Sequence, residues 1–282
     1  MGKRHLWLVF IKKLIKRLNQ DRVTDFSSQL AYTFLFSLFP FLIFIFSLLP
    51  YLGLNPDSVM SFLKDFAPPE LVSIIKNNIY HILKRNGGLL SFGVVATLWP
   101  MASAVMTIRH VFNVAYGVKE TRSFIMMWLM VFLFTIGLLA VIFVALFLSV
   151  FGPMVGHFLF DSLGISLKFL HFWTLFHYIV TFMMIFIVFC SLYFVSPSKA
   201  LSPKEVWIGA VIAALCWQVT SFLFSLYVDK FFHYSSTYGT LASVIVIMTW
   251  FYITGFILIL GGEINVVLYQ LRQERNQQRE SV

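Results

Sequence analysis

The stretch FIMMWLMVFLFTIGLLAVIFVALFLSV, residues 124–150, contains no charged residue. It is longer than the roughly 20 residues a helix needs to cross a hydrocarbon core. Five further apolar runs flank it, at about residues 30–52, 89–111, 169–195, 206–228 and 241–260. Across the 282 residues, 59% are hydrophobic and only 12% charged, a balance no soluble domain of this length carries. The expected fold is all-α: a polytopic membrane bundle of six transmembrane helices, with an amphipathic N-terminal helix and a helical extracytoplasmic loop. It forms a single integral membrane domain over 1–282. Residues 1–28 are a cytoplasmic amphipathic segment, 29–268 the six-span bundle and 269–282 a cytoplasmic tail.

The formal net charge of +9 reads as orientation, because the basic residues flank the apolar runs and form no separate patch for nucleic acid. Assigned to alternating sides of six spans, fifteen Lys and Arg fall on the side holding both termini and six on the other. The richer side is expected to be cytoplasmic. Pro100 interrupts the second run and Arg109 lies near its end, yet without that crossing seven basic residues would be stranded outside. Cys190 and Cys216 fall inside spans, where they read as small packing residues with neither a disulfide framework nor metal spacing.

Residues 1–22 begin with basic residues but lack the compact apolar core and small-residue cleavage site of a signal peptide. Trp7, Phe10, Ile11, Leu14 and Leu18 recur at helical spacing, with Lys12, Lys13, Lys16 and Arg17 opposite. Two readings fit: a helix lying at anionic headgroups, or a cap packed on the bundle. Between the first two runs, Asn55-Pro56 and Pro68-Pro69-Glu70 supply helix starts. Leu71, Ile75, Ile79 and Ile82 recur at spacings of three or four, so two short amphipathic helices are expected there.

Polar residues inside the spans form stripes. Gln29, Thr33 and Ser37 share one face of the first span. His171, Thr174, Tyr178 and Thr181 share a face of the fourth, and Gln218, Ser221, Ser225 and Asp229 one of the fifth. Lipid satisfies no such groups, so these faces are expected to point inward, either bonding helix to helix or lining a hydrated pathway. The third span, poor in polar groups, is expected to be the most lipid-exposed. Gly255 and Gly262 would admit a close neighbouring helix. Trp7, Trp128, Trp173, Trp207 and Tyr269 sit where interfacial anchors are expected. Glu263 follows the uncharged stretch 241–262, and Arg109 ends the second span with Asn113 and Tyr116 four and seven residues on. Both charges fall near cytoplasmic helix ends, so Arg109 is the expected partner of Glu263, as a structural clamp or as a coupling site.

Three stretches in register carry a family resemblance. They are Ser28-Gln29-Leu30-Ala31-Tyr32-Thr33 running to Ser37-Leu38-Phe39-Pro40, and Asn113-Val114-Ala115-Tyr116-Gly117-Val118 preceded by Trp99-Pro100. The third is Tyr238-Gly239-Thr240-Leu241 followed by Trp250 and Gly261-Gly262-Glu263-Ile264-Asn265. Together they resemble the YihY/virulence factor BrkB family, also called ribonuclease BN-like, over about residues 24–268. The resemblance implies a six-span bacterial inner-membrane protein, associated with resistance to host killing and with export of small molecules. Gln29 and Gly262 depart from it, standing where small residues such as Ala are common.

A ribonuclease reading finds no chemistry in the residues. Metal-dependent phosphodiester hydrolysis needs clustered His and Asp, whereas His5, His81, His110, His157, His171, His177 and His233 form no His-x-His pair. The chain is therefore expected to be no enzyme, with no metal and no cofactor, and no Walker motif to hydrolyse ATP. A secondary transporter or exporter of ions or small molecules leads. A lipid-handling or envelope-integrity protein and a membrane scaffold stand beside it. Glu263, Arg109, Asn113, Tyr116, Asn265, Gln29, Thr33, Ser37, Gln218, Ser225 and Asp229 are the candidate pathway or coupling residues. Membrane lipids and an ion or small-molecule substrate are the expected partners, nucleic acid is not, and a homo-oligomer is left open.

The charge asymmetry makes a direct prediction. In a chain freed of Cys190 and Cys216, cysteines placed near Lys3 and Glu280 should resist a membrane-impermeant thiol reagent in intact cells. One placed near Asn77 should label. Labelling of either terminus from outside would contradict the six-span orientation.

Overall fold

The structure, a computed structural model, describes residues 3–48, 87–134, 136–137, 167–232 and 239–280. Helices account for nearly all of them. In chain order they are α1 (Lys3–Gln20), α2 (Val23–Leu48), α3 (Gly87–Tyr116), α4 (Phe124–Phe134), α5 (Leu167–Val195), α6 (Pro203–Phe232) and α7 (Gly239–Glu280). Four segments are long and apolar enough to cross a membrane: Val23–Phe44, Gly87–Tyr116, Pro203–Val228 and Val244–Gln278. Phe124–Phe134 and Ile179–Val195 are shorter apolar helices. Most of the third expected span, and the two expected helices of the loop after the first span, lie outside the described residues. The all-helical membrane class stands on the four long segments.

Two boundaries differ from the sequence expectation. The first membrane helix begins at Val23, straight after a break at Asp21 and Arg22. Arg22 takes a left-handed backbone (φ 51°), so the chain turns without glycine. At the other end, α7 runs on unbroken to Glu280, and the expected tail continues the last helix. Gln, Arg, Glu and Asn fill residues 272–280, all compatible with a helix leaving lipid for water.

Contacts divide the chain into two compact units, Met1–Tyr32 with Ala104–Val282, and Thr33–Ser103. In the smaller unit a close approach at Gly93 is evident: a methyl group there would lie 2.9 Å from the Phe44 backbone. The Thr97 hydroxyl donates to the Gly93 carbonyl at 2.6 Å, and that of Ser37 to the Phe34 carbonyl at 2.8 Å.

The larger unit is organised on α7. Helix α6 packs along it, α5 packs along α6, and α1 lies against α7. Glycines set these distances. A methyl group on Gly261 would overlap the Tyr193 hydroxyl, lie 2.7 Å from the Ala213 Cβ and reach 2.9 Å from the Gly209 carbonyl oxygen. Gly262 faces the Phe112 ring of α3 with no room for a methyl. A methyl group on Gly255 would lie 3.2 Å from the Leu30 Cβ of α2. The expected close approach at Gly255 and Gly262 is therefore real, but it serves two neighbours, and Gly261 serves a third.

Side chains then lock the α6–α7 crossing. Asn265 is fully buried; its Oδ1 accepts the Gly209 N–H at 2.8 Å and its Nδ2 donates to the Val206 carbonyl at 2.9 Å. The Tyr193 hydroxyl of α5 donates to the Leu258 carbonyl at 2.7 Å. A buried amide or phenol left without such partners would cost about 1–3 kcal/mol. In α4, by contrast, Phe124, Ile125, Leu129, Phe132 and Leu133 are exposed, the pattern of a lipid-facing surface.

Gly261→Ala should destabilise the protein by about 1–3 kcal/mol, since the obstructing atoms include backbone. Gly137→Ala, with nothing within 4 Å of the added methyl, is the control and should be neutral. Thermal unfolding in detergent measures both, and equal effects would contradict the α6–α7 crossing.

Candidate functional site

The buried polar groups gather at one end of the larger unit, where α3 stops. That stop is set by sequence. Gly117 adopts a left-handed φ of 66°, its N–H bonds the Val114 carbonyl at 3.0 Å, and the Val118 N–H reaches the Asn113 carbonyl at 2.9 Å. This is a Schellman cap, which turns the chain sharply and carries Glu120 back alongside α3. Nearby α6 starts with Ser202-Pro203-Lys204-Glu205. The Glu205 carboxylate accepts the Ser202 N–H at 2.7 Å, a capping box with proline at the first helical position.

Among the described residues Glu263 is the most deeply buried charge, with its side chain at 0% exposure. Its partner is Arg17, whose Nε donates to Oε2 at 2.8 Å. The same guanidinium donates through Nη2 to Asp21 Oδ2 at 2.7 Å and to the Ala115 carbonyl at 2.7 Å. One cation thus faces two carboxylates and ties α1 to α3 and α7. The expected Glu263–Arg109 pair is not formed. The reason is topological: α1 folds back on α7 and delivers a cation from outside the spans, which a tally of charges within spans could not supply. Lys13 reinforces the docking with an exposed pair to Glu274 at 2.6 Å.

Arg109 pairs instead with Glu120, Nη2 to Oε1 at 2.5 Å. Glu120 belongs to a second network. Asn113 Nδ2 donates to Glu120 Oε2 at 2.9 Å, the Ser198 hydroxyl donates to Oε1 at 2.9 Å, and Asn113 Oδ1 accepts the Ser198 N–H at 2.7 Å. Arg122 donates to the carbonyls of Val195 at 2.5 Å and Pro197 at 2.9 Å, which fastens the turn after α5. Burial works to raise the Glu120 carboxyl. The Arg122 amide, the Ser198 hydroxyl, Arg109 and Asn113 outweigh it and hold that carboxyl below its ordinary value. Between the two networks, Lys199 Nζ stands 3.9 Å from the Tyr269 ring centre, and the Tyr116 and Tyr269 rings meet edge to face at 5.9 Å.

Of the residues expected from sequence, Glu263, Arg109, Asn113, Tyr116 and Asn265 cluster at this end. Gln29 is exposed on α2, Thr33 is buried, and Ser37 is half-buried. On α6, Gln218 is half-buried and Ser225 exposed. Ser225 lies sixteen residues beyond Gly209, about 24 Å along the helix from the Asn265 contact. Asp229 lies in α6, and its side chain is outside the described ones. Sequence reasoning missed Arg17, Asp21, Glu120, Arg122 and Ser198. The Gly117 stop was the available signal for Glu120, since it returns the following residues to the helix end.

Apolar crossing helices with a buried charge network at one end define an α-helical integral membrane protein. The chain belongs to the family described as virulence factor BrkB, whose model it matches over residues 14–282. It is 42% identical over 265 residues to a ribonuclease-like protein, YfkH, of Bacillus subtilis strain 168, covering 94% of this chain and 96% of that protein. It is also 24% identical over 268 residues to a UPF0761 membrane protein of Vibrio campbellii strain ATCC BAA-1116, covering 93% and 82% respectively. A UPF0761 membrane protein of Vibrio vulnificus strain YJ016, VV0203, is 25% identical over 270 residues, with 93% and 82% covered. No solved structure matches the chain.

Proposed function

We propose that this protein is a secondary carrier of the bacterial cytoplasmic membrane, moving ions or small molecules with both termini inside. The observation that carries the reading is Glu263. It is a fully buried carboxylate on a membrane-crossing helix, with Oε2 on Arg17 and Oε1 without a hydrogen-bond partner. Ionisable groups in such helices are costly and mark places where charge is bound or moved. The cation that balances Glu263 comes from α1, which is not one of the long apolar helices, so its withdrawal would free the site for a proton or cation. Orientation rests on the fifteen-to-six distribution of basic residues.

The reading is non-enzymatic. The lipid-handling alternative draws on a different face of α1. Trp7, Leu8, Ile11 and Ile15 are exposed along it, with Lys12 and Lys16 alongside, an arrangement suited to anionic headgroups.

Flux measured in proteoliposomes against a panel of ions and small metabolites, with and without a pH gradient, tests the carrier. Wild type should move at least one of them. Glu263→Gln should reach normal abundance and lose transport or its pH dependence. A clamp alone would instead lower the abundance of both Glu263→Gln and Arg17→Gln and leave the flux per molecule unchanged. That outcome, or no wild-type flux across the panel, contradicts the carrier role.

A further inference from the structure

Arg109 is 2% exposed, and none of its three side-chain nitrogens is in hydrogen-bond geometry with any group. The Glu120 carboxylate touches Nη2 without that geometry and is itself engaged by Asn113, Ser198 and the Arg122 amide. A guanidinium carries five N–H donors in a planar fork, and burying them unbonded is among the costlier arrangements in a protein interior. Glu263, the buried carboxylate at this end, is held by Arg17.

The surroundings add to the imbalance. Arg122 lies close enough to Arg109 for the like charges to act on each other, and Arg122 is already bound to two carbonyls. Two guanidinium groups therefore face the single carboxylate of Glu120. Ser196, in the turn that Arg122 fastens, is 1% exposed, and its hydroxyl also has no hydrogen-bond partner. Unsatisfied donors, excess positive charge and a frame fixed by Asn113, Ser198 and Arg122 coincide at the end of α3.

We propose that Arg109 is the centre of a binding site for a phosphate-type oxyanion, with the Ser196 hydroxyl as a further donor. The ligand is recognised by its charge and its acceptor oxygens, which match a guanidinium fork. Either inorganic phosphate or the phosphate of a lipid headgroup supplies that chemistry. Nothing in the inference depends on transport, because it concerns binding to the purified protein.

The test titrates inorganic phosphate into the full-length protein in detergent, with chloride at matched ionic strength as control, and follows the unfolding temperature. Wild type should show a saturable rise with phosphate alone. Arg109→Lys keeps the charge but not the fork, and should weaken the phosphate midpoint about tenfold or more. Glu120→Gln removes the competing carboxylate and should tighten it. No saturable rise in wild type overturns the proposal, as does an unchanged midpoint in both variants. Native mass spectrometry with phosphatidylglycerol separates the sources. Bound lipid displaced by phosphate, and lost in Arg109→Lys, makes the occupant a headgroup; phosphate binding with lipid retention unchanged in Arg109→Lys makes it the free ion.

Discussion

A carboxylate inside an apolar bundle requires a cation or a proton, and the organisation of the larger unit follows from how Glu263 meets that requirement. Arg17 reaches it from α1, so the N-terminal helix is fixed against α7 and does not only lie on a surface. The same guanidinium takes Asp21 and the Ala115 carbonyl, which places the α1–α2 break and the end of α3 around one group. The left-handed turn at Arg22 then releases the chain into the first membrane helix. Removing Arg17 from such a buried pair typically costs about 3–5 kcal/mol, because it strands the buried carboxylate, whereas without Glu263 the guanidinium keeps Asp21 and the Ala115 carbonyl.

Packing on α7 makes that burial attainable. Consecutive glycines at 261 and 262 admit the α6 backbone at Gly209 and the Phe112 ring of α3, on two sides of the turn that carries Glu263. Asn265, one turn further on, bonds the backbone of α6 at Val206 and Gly209. The Gly261-Gly262-Glu263-Ile264-Asn265 stretch therefore combines close approach, buried charge and an interhelical hydrogen bond within five residues.

Much of the architecture was legible because lipid imposes a simple code. Runs such as Pro203–Val228 and Val244–Gln278 announce themselves by length and composition. Glu263, Arg109, Asn113 and Asn265 were found for the same reason, since polar groups in apolar helices must be buried and bonded. Their partners were not legible. Arg17 is one of seven basic residues in the first 22, and nothing in a helical wheel marks the one that folds back onto α7. Ser225, on the polar stripe of α6, is exposed, since periodicity places residues on one face without saying whether that face is covered. Glu120 lay in a short connection whose path depends on the Gly117 cap, a local signal whose tertiary consequence appears only once α5 and α6 are in place.

The most direct test is a pair of double-mutant cycles on unfolding in detergent, one with Arg17→Gln and Glu263→Gln, the other with Arg109→Gln and Glu263→Gln. The expected result is a coupling of about 1 kcal/mol or more between Arg17 and Glu263, with the Arg109 cycle additive to within about 0.5 kcal/mol. Additivity of Arg17 with Glu263, together with strong coupling of Arg109 to Glu263, would contradict the pairing on which the site is built.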